Sequence, residues 1–194
     1  MGLLVMILGL VLFLGVHMLT TQRKLRASVI ASTGEGGYKI AYALVSVAGL
    51  ALIVWGFAHY RASGMWEIWT PPTALKHLTA ALMLPAVILV VASYIRGRIY
   101  TTLKHPMLTG VKLWAAAHLL ANGDLGSIIL FGSFLGWAVF DRISLKHRAD
   151  SGAPPIPVGG PGNDLIAIAV GVIAYLALAF AFHPVVIGVP VVGG

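Results

Sequence analysis

Apolar and polar residues fall in long blocks along this chain. Gly2 to Thr21 is an almost unbroken apolar run, long enough to cross a hydrocarbon core of roughly 30 Å as one helix. No basic residue precedes it, whereas Arg23, Lys24 and Arg26 follow it. That order is the reverse of a cleaved signal peptide and predicts a retained first helix with its N-terminus outside. Ser28 to Gly37 is small and polar and reads as a cytoplasmic linker. A second helix is expected over Tyr38–His59, closing in an aromatic belt of Trp55, Phe57 and Tyr60, before an outer loop that carries Trp66 and Trp69. A third runs over Thr73–Tyr94, where Pro85 is expected to kink it. Spans four to six follow at about 106–122, 125–145 and 164–182. Ser151 to Asn163, rich in proline and glycine, is expected to be mobile, and His183-Pro184 opens a short apolar tail. The pattern predicts an all-α, polytopic membrane bundle of about six transmembrane helices forming a single domain over 1–194.

Charge placement orients the bundle. Arg23, Lys24, Arg26, Lys39, Arg96, Arg98, Lys104, Arg142, Lys146 and Arg148 lie on one side, ten of the thirteen basic residues. Arg61 and Lys76 lie on the other, and Lys112 is inside a helix. The positive-inside rule then puts both termini outside. Composition agrees with membrane residence: 59% of residues are hydrophobic and 10% charged, against roughly 25% charged in soluble domains. The net charge of +7 follows from topology and does not point to nucleic acid. With no cysteine there is neither a disulfide framework nor a thiolate ligand.

Chemistry concentrates between Lys104 and Asp124, KHPMLTGVKLWAAAHLLANGD. Pro106 suits the first helical position and leaves His105 at the helix mouth, where capping or contact with an acidic group is expected. Gly110, Trp114, His118 and Asn122 recur every fourth residue on one face, and Asn122-Gly123-Asp124 stops the helix. Gly9, Phe13 and His17 repeat the spacing in the first helix, with Thr20 and Thr21 near the imidazole. Of seven histidines, His147 lies in a basic loop, and His59, His77 and His183 are placed at the outer surface as interfacial hydrogen-bonding groups that together could also make an adventitious metal site. His17 and His118 remain as the two intramembrane imidazoles. Such groups are costly at membrane depth and usually functional. Two readings stay open on the residues alone: bis-imidazole ligation of a haem, or interhelical hydrogen bonds worth on the order of 1 kcal/mol. Depth permits the first. His17 precedes Arg23 by six residues, and His118 follows Lys112 by six, about 9 Å in each case if Lys112 marks the inner boundary by snorkelling. Helix four then ends short of the outer surface, so its closing turn must line a polar vestibule or be buried in protein.

The pattern H-P-x3-G-x3-W-x3-H-L-x2-N-G-D, with the G-V-H-M of the first helix and the late His183-Pro184, resembles the NnrU family, which includes the plant zeta-carotene isomerases. The likeness covers nearly the whole chain. It implies a haem b protein with His17 and His118 as axial ligands, Phe13 and Trp114 flanking the macrocycle, and Gly9 and Gly110 admitting it. Such a haem needs cationic partners for its propionates near the inner surface; Arg23, Arg96, Arg98 and Lys104 are candidates beside their stronger role as topology determinants, with His105 at the same interface, and Thr20 or Thr21 is close enough in sequence to fix the tautomer of His17. The plant members carry a cysteine three residues before the second ligand; here that residue is Ala115, so no thiolate can replace an imidazole. The resemblance implies a bacterial inner-membrane protein, with nitric oxide as a small apolar ligand, supporting denitrification with a membrane redox partner. The alternative it implies is a haem-dependent cis–trans isomerase of a polyene dissolved in the bilayer. A membrane methyltransferase reading, suggested by the histidine-proline helix, needs paired carboxylates, and Asp141-Arg142-Ile143-Ser144-Leu145-Lys146 holds one acid. No nucleotide motif or nucleophilic triad is present.

Overall fold

The computed structural model of the chain describes residues 1–147 and 156–191. Among them the structure is helical: α1 (Gly2–Leu19), α2 (Arg23–Ala62), α3 (Thr73–Ala92), α4 (Arg98–Leu103), α5 (Pro106–Ala121), α6 (Leu125–Lys146) and α7 (Pro161–Ala177). α7 continues as a π-helical segment over Leu178–Ile187. α1, α2, α3, α6 and α7 with its continuation are long and apolar enough to cross a bilayer. α5, at 16 residues, reaches about 24 Å at helical rise, less than a full hydrocarbon core. The chain is therefore a polytopic, all-helical membrane protein.

Several boundaries differ from the pattern reading. Helix two begins at Arg23, so the expected linker is helical. Ser32 and Thr33 turn their hydroxyls back to the carbonyl of Val29 at 2.9 and 2.8 Å and so avoid competing for the backbone. The break falls at Gly34, whose φ of 73° only glycine adopts freely. Past it, Lys39 pairs with Glu35 at 2.8 Å on the exposed surface. α3 continues through Pro85. Arg148 and residues 151–155 of the Pro/Gly stretch lie outside the described residues. Residues 156–163 are tied down: Ile156 accepts from Arg96, and Gly159 and Asn163 both donate to the Arg96 carbonyl.

Two compact units divide the chain. The first comprises 1–69 and 124–147 and holds α1, α2 and α6. Its centre is an antiparallel seam between α1 and α2, where Gly2 and Gly9 face Gly56 and Gly49. A Cβ on Gly9 would stand 2.6 Å from the Ile53 nitrogen, and one on Gly49 2.8 Å from the Phe13 nitrogen, so backbone rests on backbone. Small residues are what membrane helices use to approach this closely.

The first unit also closes the start of α6. Leu125 N–H donates to the Trp66 carbonyl at 2.9 Å, Gly126 N–H to the Tyr60 hydroxyl at 3.2 Å, and Ser127 N–H to the Asp124 carboxylate at 2.9 Å. Asp124 is thus a side-chain N-cap, and the first three N–H groups of α6 all find acceptors. Asp124, Gly126 and Ser127 are buried. Of the closing turn, Gly123 and Asp124 are buried and Asn122 is half-buried.

The second unit comprises 70–123 and 148–194 and holds α3, α4, α5 and α7. α3 is its spine. Thr79 donates to the Ala117 carbonyl of α5 at 2.7 Å, and Tyr175 of α7 donates to the Ala80 carbonyl at 3.0 Å. Asp164, in the first turn of α7, caps α4 by accepting Arg98 N–H at 2.8 Å and Ile99 N–H at 3.0 Å. Gly97 leaves room for that carboxylate.

Candidate functional site

The expected ligand residues belong to different units, each with its own surroundings. In the first unit, Gly9, Phe13 and His17 form a ladder along α1. The Phe13 ring stacks on the His17 imidazole, centroids 4.3 Å apart and planes 29° from parallel. His17 Nδ1 lies 2.6 Å from the Phe13 carbonyl oxygen. A carbonyl only accepts, so the proton sits on Nδ1 and the lone pair on Nε2. Tyr42 of α2 and Trp137 of α6 complete a cluster of rings, 5.3 and 5.7 Å from the imidazole. Tyr38 stands 6.1 Å from Tyr42, and Phe134 5.8 Å from Phe13. Two polar groups of this cluster, the Tyr38 hydroxyl and Trp137 Nε1–H, are buried without a hydrogen-bond partner among the described residues. Burying such groups unpaired costs about 1–3 kcal/mol each.

The second unit repeats the ladder on α5 with Gly110, Trp114 and His118. Trp114 and His118 stand 5.4 Å apart at 52°. His118 Nδ1 lies 2.8 Å from the Trp114 carbonyl, which again leaves the lone pair on Nε2. Asn122, the fourth member of the face, donates to the His118 carbonyl at 2.8 Å and ends the helix. The bond from Nδ1 is not distinctive by itself, because exposed His147 makes it to Ile143 at 3.0 Å. The combination of glycine, aromatic ring and imidazole at fourfold spacing is shared by α1 and α5.

Other expected site residues stand differently. Gly9 and Gly110 were read as openings for a macrocycle; each is filled by a neighbouring helix. A Cβ on Gly110 would lie 2.8 Å from the Ala86 carbonyl and 3.0 Å from a Val90 methyl of α3. Thr20 and Thr21 do not set the His17 tautomer, since their hydroxyls donate to the carbonyls of His17 and Met18. His105 occupies the N-cap of α5, but its side chain makes no capping bond. Lys104 precedes it with a left-handed φ of 62°, uncommon for a residue with a Cβ. Arg23 opens α2 and is exposed. Arg96 is buried, and its guanidinium is engaged by the Ser93 and Ile156 carbonyls and lies 4.2 Å over the Tyr100 ring. It holds the 156–163 segment in place. His59 stacks on Trp55 at 5.2 Å, and His183 stands 6.3 Å from His118.

Tyr38, Tyr42, Trp137 and His183 are the neighbours that sequence reasoning missed. Tyr38 and Tyr42, one helical turn apart, carried a usable signal; Trp137 reaches His17, and His183 reaches His118, each from a helix distant in sequence within its own unit. No curated protein and no solved structure matches the chain. A family model described as NnrU protein matches residues 5–191, from α1 to beyond the π-helical segment. By that match, the chain belongs to the NnrU family.

Proposed function

We propose that this chain is a haem b-binding membrane protein that supports nitric oxide-linked metabolism, in which His17 and His118 would hold the haem. The observation that carries the reading is the twin ladder on α1 and α5. Each imidazole has Nδ1 committed to the carbonyl of an aromatic residue one turn earlier, the outer-shell contact that orients a metal-binding histidine. The residues fit the group in a second respect. The ring cluster around His17 holds two buried donors, Tyr38 O–H and Trp137 N–H, that lack acceptors among the described residues. Haem carboxylates and ordered water are acceptors of the required kind. Arg23, Lys104 and His105 are further candidates for the propionates.

When bound, haem supplies an iron centre that exchanges electrons and takes up nitric oxide. The chain's own part is to fix the tautomer of each imidazole, cover it with Phe13 or Trp114, and keep it in apolar surroundings that nitric oxide enters from the bilayer. The bacterial inner membrane and a membrane redox partner belong to the same reading.

The test is the absorption spectrum of detergent-purified protein, oxidised and dithionite-reduced, with and without nitric oxide. A low-spin haem spectrum that shifts with nitric oxide is expected, disrupted by His17→Ala and by His118→Ala but not by His147→Ala. Protein that takes up no haem, even when supplied with it, overturns the reading. Isomerisation of a cis-polyene with no response to nitric oxide would make the chain an isomerase instead.

A further inference from the structure

His183 takes part in none of the roles above, yet its position is specific. Every described residue from Ala181 to Pro190 is exposed except His183. It continues an inward stripe of α7: Gly171 against Ile88, Tyr175 bonded to Ala80, then buried Ala179, then His183. The helix is widened to π geometry over Leu178–Ile187, with Pro184 inside it. Proline lacks the N–H of an α-helical bond and crowds the preceding turn, and π turns recur at functional sites. The stripe ends with the His183 ring 6.3 Å from that of His118, planes 35° apart.

Two imidazoles on one metal, with metal–nitrogen bonds of about 2.0–2.1 Å, have centroids about 5 Å apart at a tetrahedral angle and about 6.3 Å apart when opposite. The observed separation falls at the upper end of that range. We propose that His183 is a ligand of the same metal centre as His118, inside the second unit. That centre is an imidazole-accepting transition metal, either the iron of a haem or a bare ion for which copper binds most tightly. The haem form rests on the reading in the preceding subsection, and there His183 would be an alternative to His17 as the second residue that holds the group with His118. The bare-ion form does not depend on it.

The experiment uses the full chain in detergent, as purified and after addition of one equivalent of Cu(II). The variants are His183→Ala, His183→Gln, His118→Ala and His147→Ala, each checked for its helical circular dichroism. In haem-loaded protein, His183→Ala and His183→Gln should alter the low-spin electron paramagnetic resonance signal, and free imidazole should restore it. In haem-free protein, the Cu(II) signal should show coupling to two nitrogens, reduced to one in His118→Ala and in either His183 variant, and unchanged in His147→Ala. A wild-type protein without haem that still shows the two-nitrogen copper signal sinks the haem reading and supports this one. If neither signal changes in folded His183→Ala, or wild type shows neither signal, the proposal falls.

Discussion

The Tyr60 hydroxyl accepts the backbone N–H of Gly126 at 3.2 Å, and the Tyr60 ring fills the space that Gly126 leaves by having no side chain. The same hydroxyl accepts Trp66 N–H at 3.0 Å, so one side chain joins the end of α2, the outer loop and the start of α6. Tyr60→Phe strands two N–H groups and should cost about 1–3 kcal/mol, seen as a lower unfolding temperature in detergent. Gly126→Ala should cost more, because the ring itself must move. A Tyr60→Phe protein that melts like wild type would count against this account.

The glycine seam makes a contrast within one helix. Gly9→Leu should separate α1 from α2 and destabilise the protein by about 1–3 kcal/mol or more. Gly15→Leu, on the same helix but with open space where its Cβ would be, should leave the melt nearly unchanged. Equal effects from the two substitutions would show that the seam does not hold the helices.

Asp164 offers two acceptors to two N–H groups, at 2.8 and 3.0 Å. Asp164→Ala should therefore loosen the start of α4, a six-residue helix. The measure is faster amide exchange over 98–103. Asp164→Asn retains one acceptor and should fall between wild type and alanine. Exchange unchanged in Asp164→Ala would remove the cap from the account.

Topology is open to a direct measurement. Five long apolar helices and the shorter α5, with ten of thirteen basic residues assigned to one side, predict that both ends of this chain face away from the cytoplasm. A C-terminal reporter that functions only outside the cytoplasm should be active. Activity of a reporter that works only in the cytoplasm would mean that α5 does not cross.

The chain's legibility followed the range of its contacts. Apolar runs and punctuation by Pro106 and Asn122-Gly123-Asp124 are local, and they located α5 and α6 to within a residue or two. Ser28 to Gly37 misled because small polar residues usually mark a loop; here the hydroxyls bond back within the turn and the helix persists to Gly34. The Gly–aromatic–His ladders were readable because fourfold spacing is itself a local property. What fills the space beside Gly9 and Gly110 was not, since that depends on which helix packs there. His183 sits 65 positions from His118 in sequence, and no periodicity links positions so far apart. Arg96 shows the same limit: its basic charge suggested a ligand contact, while its carbonyl partners became visible only in three dimensions.

The close approach of α1 and α2 also bears on the order in which the protein is made. Their seam rests backbone on backbone at four glycines, and the last residues of α1 with the first part of α2, up to just past the Gly34 break, are all the chain between the packed stretches, so loop closure costs modest entropy. Both helices are complete by Ala62, before any residue of α3 is synthesised. The hairpin can dock while the ribosome is still extending the chain, leaving a formed surface on which α6 settles when it emerges.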